Sequence, residues 1–298
     1  GWIKSTNLKR YSFRANVEQQ LGDKWLAGIQ LNPTRTVNTR QNEDNNVASP
    51  QTYAVLFFPN VAAYDENGEV VGNVAPTSIG RTQFAGTPLG NIVGQDITAT
   101  TTQILTNTYL EFRPITKLKL RTEFGAQFQQ VEDLLKQASF TTDGFGADGS
   151  ADAANAQVIN YSWNNLATYT DFIGRSEFDF TLGFTVNREQ TSTQFVTGNT
   201  FADDRLKTLA SAAEITGGTG TKNDVTFVGF LGRLNYAFDG KYLLSASARV
   251  DGSSRFGADS RYGFFPAVSA GWILSEEPFL QNNSTINFLK IRGSYGLA

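Results

Sequence analysis

The side chains that most often perform covalent chemistry are missing from this sequence: its 298 residues include no His and no Cys. Without imidazole there is no Ser-His or Asp-His machinery and no His metal ligand, and without thiol there is neither a disulfide nor a thiolate nucleophile. What remains are Gly-rich segments, carboxylate clusters and spaced opposite charges. "GFGADG" (144–149) satisfies G-x-G-x-x-G, but "KQASFTTD" before it is no buried strand and no βαβ unit follows, so it reads as a flexible loop. "GGTGTKND" (217–224) misses the phosphate-loop spacing and lacks Ser or Thr after Lys222, and also reads as a loop. "NEDNN" (42–46) and "DENGE" (65–69) offer oxygen ligands for Ca²⁺, yet neither follows D-x-[DN]-x-[DN]-G, which leaves solvated turn chemistry. The sequence therefore predicts no enzyme, no cofactor and no metal site. With a net charge of −3 and 18% charged residues, it also predicts no nucleic-acid partner.

The charges with a pattern are Arg10, Arg14, Arg121, Glu123, Arg249 and Asp251, and each lies on the polar side of an alternating stripe. That alternation is the period of a β-strand. Val228, Phe230, Leu234, Tyr236 and Phe238 alternate with small or polar residues. After Asp239-Gly240, Tyr242, Leu244, Ala246, Ala248 and Val250 continue the stripe. For the two apolar faces to coincide the loop must be odd, and a three-residue loop Phe238-Asp239-Gly240 with left-handed Gly240 would pair Tyr236 with Tyr242. The same stripe recurs at Tyr11–Val17, Trp25–Leu31, Leu110–Phe128, Phe178–Val186, Tyr262–Leu274 and Leu289–Leu297, and less regularly over 158–171. This makes about ten strands, each near the ~10 residues that cross a bilayer when tilted.

Connections alternate in length. Those near 18–23, 113–117, 171–176 and 238–240 are short; 33–96, 130–157, 189–224 and 251–261 are long and rich in Gly, Asn, Asp and Thr. Long loops at one end only, with aromatics such as Trp25, Phe112, Tyr236, Tyr242 and Trp272 beside the short turns, fit an outer-membrane barrel. No apolar run reaches the ~18 residues of a membrane helix, so membrane residence would be by strands. The fold class predicted is all-β: a transmembrane antiparallel β-barrel of the outer-membrane type, with the even face of 228–250 toward lipid. The six charges then face the lumen, either lining a transport path or holding an element inside it. The alternative is an aromatic core in a soluble all-β carbohydrate-binding or adhesion module. The chain starts at Gly1 without a leader, lacks Met and ends within a strand, which suggests an internal segment of a longer protein.

From Arg233 onward the sequence resembles the barrel signature of the SusC/RagA family of TonB-dependent outer-membrane transporters. The matching parts are Arg-x-Asn-Tyr before a tight turn, Lys-Tyr-Leu-Leu after it, then Asp251-Gly252-Ser253-Ser254-Arg255-Phe256-Gly257 in the loop, Phe-Pro-Ala-Val-Ser-Ala-Gly-Trp, and Ser-Glu-Glu. "LKIRGSYG" (289–296) is similar to the next strand, and 8–31 and 106–128 read like family hairpins. The resemblance implies a 22-stranded, plugged barrel in the cell outer membrane, of which residues 1–298 would form part of one barrel domain, with the plug and N-terminal domains outside them. It implies import of oligosaccharides or peptides with a SusD-like surface lipoprotein as lid and energy from the TonB complex; service in secretion or structural assembly stays open. The signature loop 251–257 reads as structural and not as a binding site. Within the longer stretch "DGSSRFGADSR" (251–261), Asp251, Arg255, Asp259 and Arg261 could form an ion-pair network. The outer loop 33–96 contains the apolar patch "YAVLFFPNVAAY" (53–64). Its Phe57 and Phe58 would either pack on the barrel or plug, or help seat the lipoprotein.

Overall fold

The computed structural model describes residues 5–41, 49–57, 61–72, 87–280 and 285–297. Among them one antiparallel sheet dominates, and its strands are hydrogen-bonded in sequence order: β1 (Asn7–Ser12), β2 (Ala15–Leu21), β3 (Trp25–Arg40), β4 (Gln95–Ile115), β5 (Leu118–Gln137), β6 (Ser150–Ile173), β7 (Ser176–Phe201), β8 (Ala212–Phe238), β9 (Tyr242–Ser253), β10 (Tyr262–Ile273) and β11 (Lys290–Gly296). β1 and β2 pair with β3 in one continuous register, Ser12 opposite Thr34 and Ala15 opposite Leu31. They are a single strand interrupted where Pro33, which has no N–H to give, lies across from Phe13. Counted so, the sheet has the ten strands expected. It is open, with β1/β2 at one edge and β11 at the other.

Several expectations about lengths are corrected. β4 to β8 run for 20 to 27 residues, about twice the expected span. The supposed loops 130–157 and 189–224 shrink to 138–149 and 202–211, and "GGTGTKND" lies inside β8. Thr- and Gly-rich segments looked like loops because they lack an apolar face. They are strand because ladder hydrogen bonds need only a backbone with a neighbour, and β7 and β8 supply each other with one along nearly their whole length. "GFGADG" is a loop with one 3₁₀ turn, and "DENGE" is a turn in which the Asp65 carboxylate accepts from the N–H of Asn67 and Glu69. "NEDNN" lies outside the described residues.

The 238–240 turn keeps the expected odd parity but sits one residue later. Phe238 pairs with Tyr242 and Tyr236 with Leu244, leaving Asp239, Gly240 and Lys241 as the loop. Asp239 and Gly240 are both left-handed (φ 56° and 67°), and the Lys241 N–H closes on the Phe238 carbonyl at 3.0 Å. Asp239 tolerates that conformation with its carboxylate held by Arg175 of the neighbouring turn.

The two faces of the sheet differ as the alternation requires. Along β9, Tyr242, Leu244, Ala246 and Ala248 are exposed, while Leu243, Ser245, Ser247 and Arg249 are half-buried. The polar side is thus the covered, inner one and the apolar side the outer one. Leu244 is 54% exposed and Phe230 50%, so the apolar stripe packs no core. On β8 it runs from Val228 to Phe238. At ~3.3 Å per residue and ~40° tilt that is a band on the order of 25 Å tall. Beyond it, residues 212–227 continue as polar strand.

Fully buried side chains gather at the long-loop end instead. Among the described residues the connection between β3 and β4 holds two short helices, α1 (Pro50–Leu56) and α2 (Pro88–Gly94), capped by Ser49 and Thr87. Tyr53, Ser49, Thr87, Asn91, Ile97, Ala138, Thr141, Ala151 and Phe201 are buried there. The Thr142 hydroxyl donates to Tyr53 Oη at 2.6 Å, and the Thr142 N–H to Asn91 Oδ1 at 3.0 Å, which ties the helical loop to the β5–β6 loop. Asp204 accepts from the N–H and hydroxyl of Ser139, both at 2.7 Å, and so adds the β7–β8 loop.

Candidate functional site

Polar side chains of many strands converge on the inner face. Its registers align residues of eight strands into one row: Glu18, Gly28, Tyr109, Glu123, Asn164, Thr185, Gly229 and Asp251. The adjacent row, nearer the short turns, contains Glu111, Arg121, Leu166, Gly183, Leu231 and Arg249. Arg121, Glu123, Arg249 and Asp251 thus share two neighbouring rows of one face. Arg10 and Arg14, by the same parity, lie on that face at the β1/β2 edge.

Two kinds of pairing hold these charges. Arg121 is 3.1 Å from Glu123 and 3.7 Å from Glu111, and its guanidinium stacks 4.0 Å over the Tyr109 ring. Glu111, only 4% exposed, also takes Arg113 at 2.6 Å. The Tyr109 ring lies across Gly28, where any Cβ would collide with it, and its hydroxyl donates to Glu18. Glycine is needed at 28 because the ring needs the room. Across the sheet Arg249 pairs with Asp251 at 2.7 Å within one strand. The arrangement can fix opposite charges on a wall and present them to something polar inside; it contains no nucleophile–base pair.

Toward the loops the same face becomes a hollow of about 790 Å³, lined largely by Asn, Gln and charged side chains, including Asn107, Gln127, Asn160, Glu189 and Arg14. Asn107 Nδ2 donates to Glu123 at 2.7 Å and Asn160 Nδ2 to Gln127 at 3.2 Å. The sequence reading passed over these amides and Glu111 because it followed the apolar stripe. Counting the intervening positions on β4 and β6 would have found them.

Loop 251–257 divides in two: Asp251, Gly252 and Ser253 close β9, and Ser254 to Gly257 form the bend. The expected network of Asp251, Arg255, Asp259 and Arg261 does not form among the described residues, because Asp251 is taken by Arg249. Local hydrogen bonds pin the bend: Ser254 N–H to the Thr226 carbonyl, Thr226 N–H to Ser254 Oγ, and Arg255 N–H to Ser253 Oγ. In the outer-loop patch, Phe57 is half-buried with its ring 6.2 Å from Tyr53, and Val55 is 83% exposed. Phe58 lies outside the described residues.

No protein-family model matches the sequence. Individual proteins do. The chain is 30% identical over 315 aligned residues to TonB-dependent receptor P26 of Formosa agariphila, which covers 99% of this chain and 30% of that receptor. It is 28% identical over 193 residues to the TonB-dependent receptor SusC of Bacteroides thetaiotaomicron, covering 63% of this chain and 18% of SusC. Among solved structures, the RagAB peptide transporter superposes with a TM-score of 0.80 at 21% identity, over 98% of this chain and 33% of that one, a likeness of fold. The chain spans about a third or less of the length of these proteins.

Proposed function

We infer that this chain, which matches the barrel of SusC/RagA-type TonB-dependent receptors in sequence and in fold, is part of the wall of an outer-membrane transporter energised through TonB. Residues 1–298 belong to one barrel domain. The plug and the TonB-contacting segment lie elsewhere in the full protein, whose cargo is an oligosaccharide or a peptide received with a SusD-like lipoprotein. The role is carriage and not catalysis, in keeping with relatives named as receptors and a transporter.

The observation that carries this reading is the outer face: an apolar band about 25 Å tall with its side chains exposed, closed by aromatics at the short turns. Trp25 stacks on Phe112 at 4.1 Å, and Tyr242 on Trp272 at 6.2 Å, as a girdle would. A soluble module could not leave such a band in water. The inner charges Arg10, Arg14, Arg121, Glu123, Arg249 and Asp251 then line the lumen, where they hold the plug or the passing cargo. Loop 251–257 braces the rim, and Phe57 with Phe58 helps seat the lipoprotein.

Uptake of labelled oligosaccharides and peptides by cells carrying the full-length receptor, with and without a functional TonB complex, tests the reading. TonB-dependent uptake is the expected result, and uptake indifferent to TonB would refute it. Replacing Phe57 and Phe58 by Ser should leave the barrel inserted and weaken recovery of the lipoprotein in a pull-down. Unchanged recovery removes that role from the patch.

A further inference from the structure

Two parts of the outer wall carry cations just above the apolar band, and they are satisfied differently. Over β7 and β8 the cation is Arg188, two residues beyond Val186, and the Asp224 carboxylate takes its guanidinium through two contacts, at 3.0 and 2.5 Å. Over β1 and β3 the cations are Lys9 and Arg35. From β1 to β6 the last row that is apolar throughout consists of Phe13, Pro33, Ile104, Phe128 and Ile159. The row directly above it reads Tyr11, Arg35, Thr102, Gln130 and Gln157, and Lys9 stands one row higher still, opposite Val37 and diagonal to Arg35.

Lys9 and Arg35 are exposed, and neither has an acidic partner among the described residues. Arg35 is flanked by strands on both sides. Its outer-face neighbours across them, Tyr11, Thr102 and, diagonally, Lys9, Phe13, Thr100 and Ile104, include no carboxylate. Glu132, the carboxylate that follows along this face, stands two strands away and one row higher, and accepts from Gln130 at 2.8 Å. Two cations placed so repel each other until an anion sits between them. Depth says what kind of anion. One row is two residues of strand, about 5 Å in height at ~40° tilt, and the headgroup layer above the hydrocarbon is itself about 5–7 Å deep. Tyr11, 64% exposed, is the aromatic that suits such a boundary. Directly below, Phe13 and Ile104 are exposed and continue into the lipid-facing wall. The chemistry that fits is a phosphate, which the Arg fork matches, carried by a molecule with apolar chains beneath it and hydroxyls beside it for Thr100 and Thr102.

We propose that Arg35 and Lys9 bind the phosphate of a phosphorylated glycolipid of the outward leaflet. Its sugar hydroxyls meet Thr100 and Thr102, and its acyl chains lie over Phe13 and Ile104. The site rests on the reading that this face meets lipid with the long loops outward, and the test keeps the two apart. The full-length receptor is purified in mild detergent beside Arg35→Gln, Lys9→Gln, the double variant and, as a control that removes the same charge from the paired site, Arg188→Gln. Binding of phosphorylated lipid A and of the same lipid A stripped of phosphate is counted by native mass spectrometry. Each of the first two variants should lower retention of phosphorylated lipid A by about fivefold, and the double variant by more. Arg188→Gln should leave it unchanged, and the stripped lipid should bind all five proteins alike and weakly. An excess of inorganic phosphate should not displace the glycolipid, since its chains hold it as well. Retention unchanged in the double variant overturns the site, as does stripped lipid A held as firmly as the phosphorylated form. An equal loss in Arg188→Gln, or displacement by inorganic phosphate, overturns it too. Failure of the lipid-facing reading would show separately, as Leu244→Arg costing nothing in a bilayer.

Discussion

The wall and the loop end of this molecule are stabilised in opposite ways. In the wall, β3 to β10 turn large side chains such as Phe230, Leu244 and Phe264 outward, and among the described residues they stay exposed. Order comes from continuous ladders, and the apolar surface is left for a solvent that is itself apolar. At the loop end, Tyr53, Ile97, Ala138, Ala151 and Phe201 are removed from solvent by neighbouring loops, and buried polar groups such as Asn91 and Thr141 find partners, as in a water-soluble core. One chain thus obeys two burial rules, and the boundary lies where the outer face changes from Val228 to Thr226 and Asp224. A polar strand such as 212–227 can stand above that boundary because water, not lipid, meets its sides.

The comparison can be broken most forcefully at Leu244. Replacing it by Arg should cost about 2–4 kcal/mol when the full-length barrel is folded into lipid vesicles. Ser245→Arg, on the inner face, should cost little, and equal losses in folding titrations would erase the distinction between the faces. Next comes overpacking. Ala151→Leu at the wholly buried loop-end site should destabilise by about 1–3 kcal/mol, whereas Ala246→Leu on the exposed wall should be neutral. A penalty at 246 matching that at 151 would mean the wall also packs against protein.

Tyr53→Phe sharpens the picture further. It removes the acceptor of the Thr142 hydroxyl and should weaken the cap by about 1 kcal/mol. The effect should be confined to hydrogen-exchange protection of 50–57 and 138–149, with the β7–β8 ladder unmoved. The smallest effect concerns Lys136, which is 2% exposed, lies beyond the apolar band, donates to the Gln137 carbonyl and stacks over Phe201. Burial pushes its ammonium below the usual lysine range, against the pull of Asp204. A lysine whose proton is held less firmly in the fold than in the unfolded chain penalises the fold while charged, so the cap gains stability as pH rises through the folded pKa toward the usual lysine value. Protease resistance of 202–211 should therefore increase between neutral pH and about pH 10 and lose that dependence in Lys136→Met.

Much of the wall was legible because period-two alternation states which face is apolar whatever lies next to it. Val228 to Val250 carried both strands and the odd turn, and misplaced that turn by one residue only because left-handed Asp239 was not anticipated. The charges of the polar face, Arg121, Glu123, Arg249 and Asp251, were legible as the complement of that stripe. The loop-end core was not. Tyr53 reads as a member of an exposed apolar patch, yet it is buried by Thr142 and Asn91, residues 89 and 51 positions away from their partners. The ends of β7 and β8 were hidden for a related reason, since Gly217 to Thr221 show no stripe and are strand through pairing with Thr193 to Thr197.

By itself, then, the sequence determined that the protein is a strand-built wall with one apolar and one polar face and long connections at a single end. Residue parity within a strand and turn chemistry are local, and local rules do not depend on what lies beside them. Tertiary structure alone decided how far each strand extends past the apolar band, and which loops seal one another. Those outcomes depend on partners tens of residues away, and a hydrogen bond has no preference until its second atom is in place.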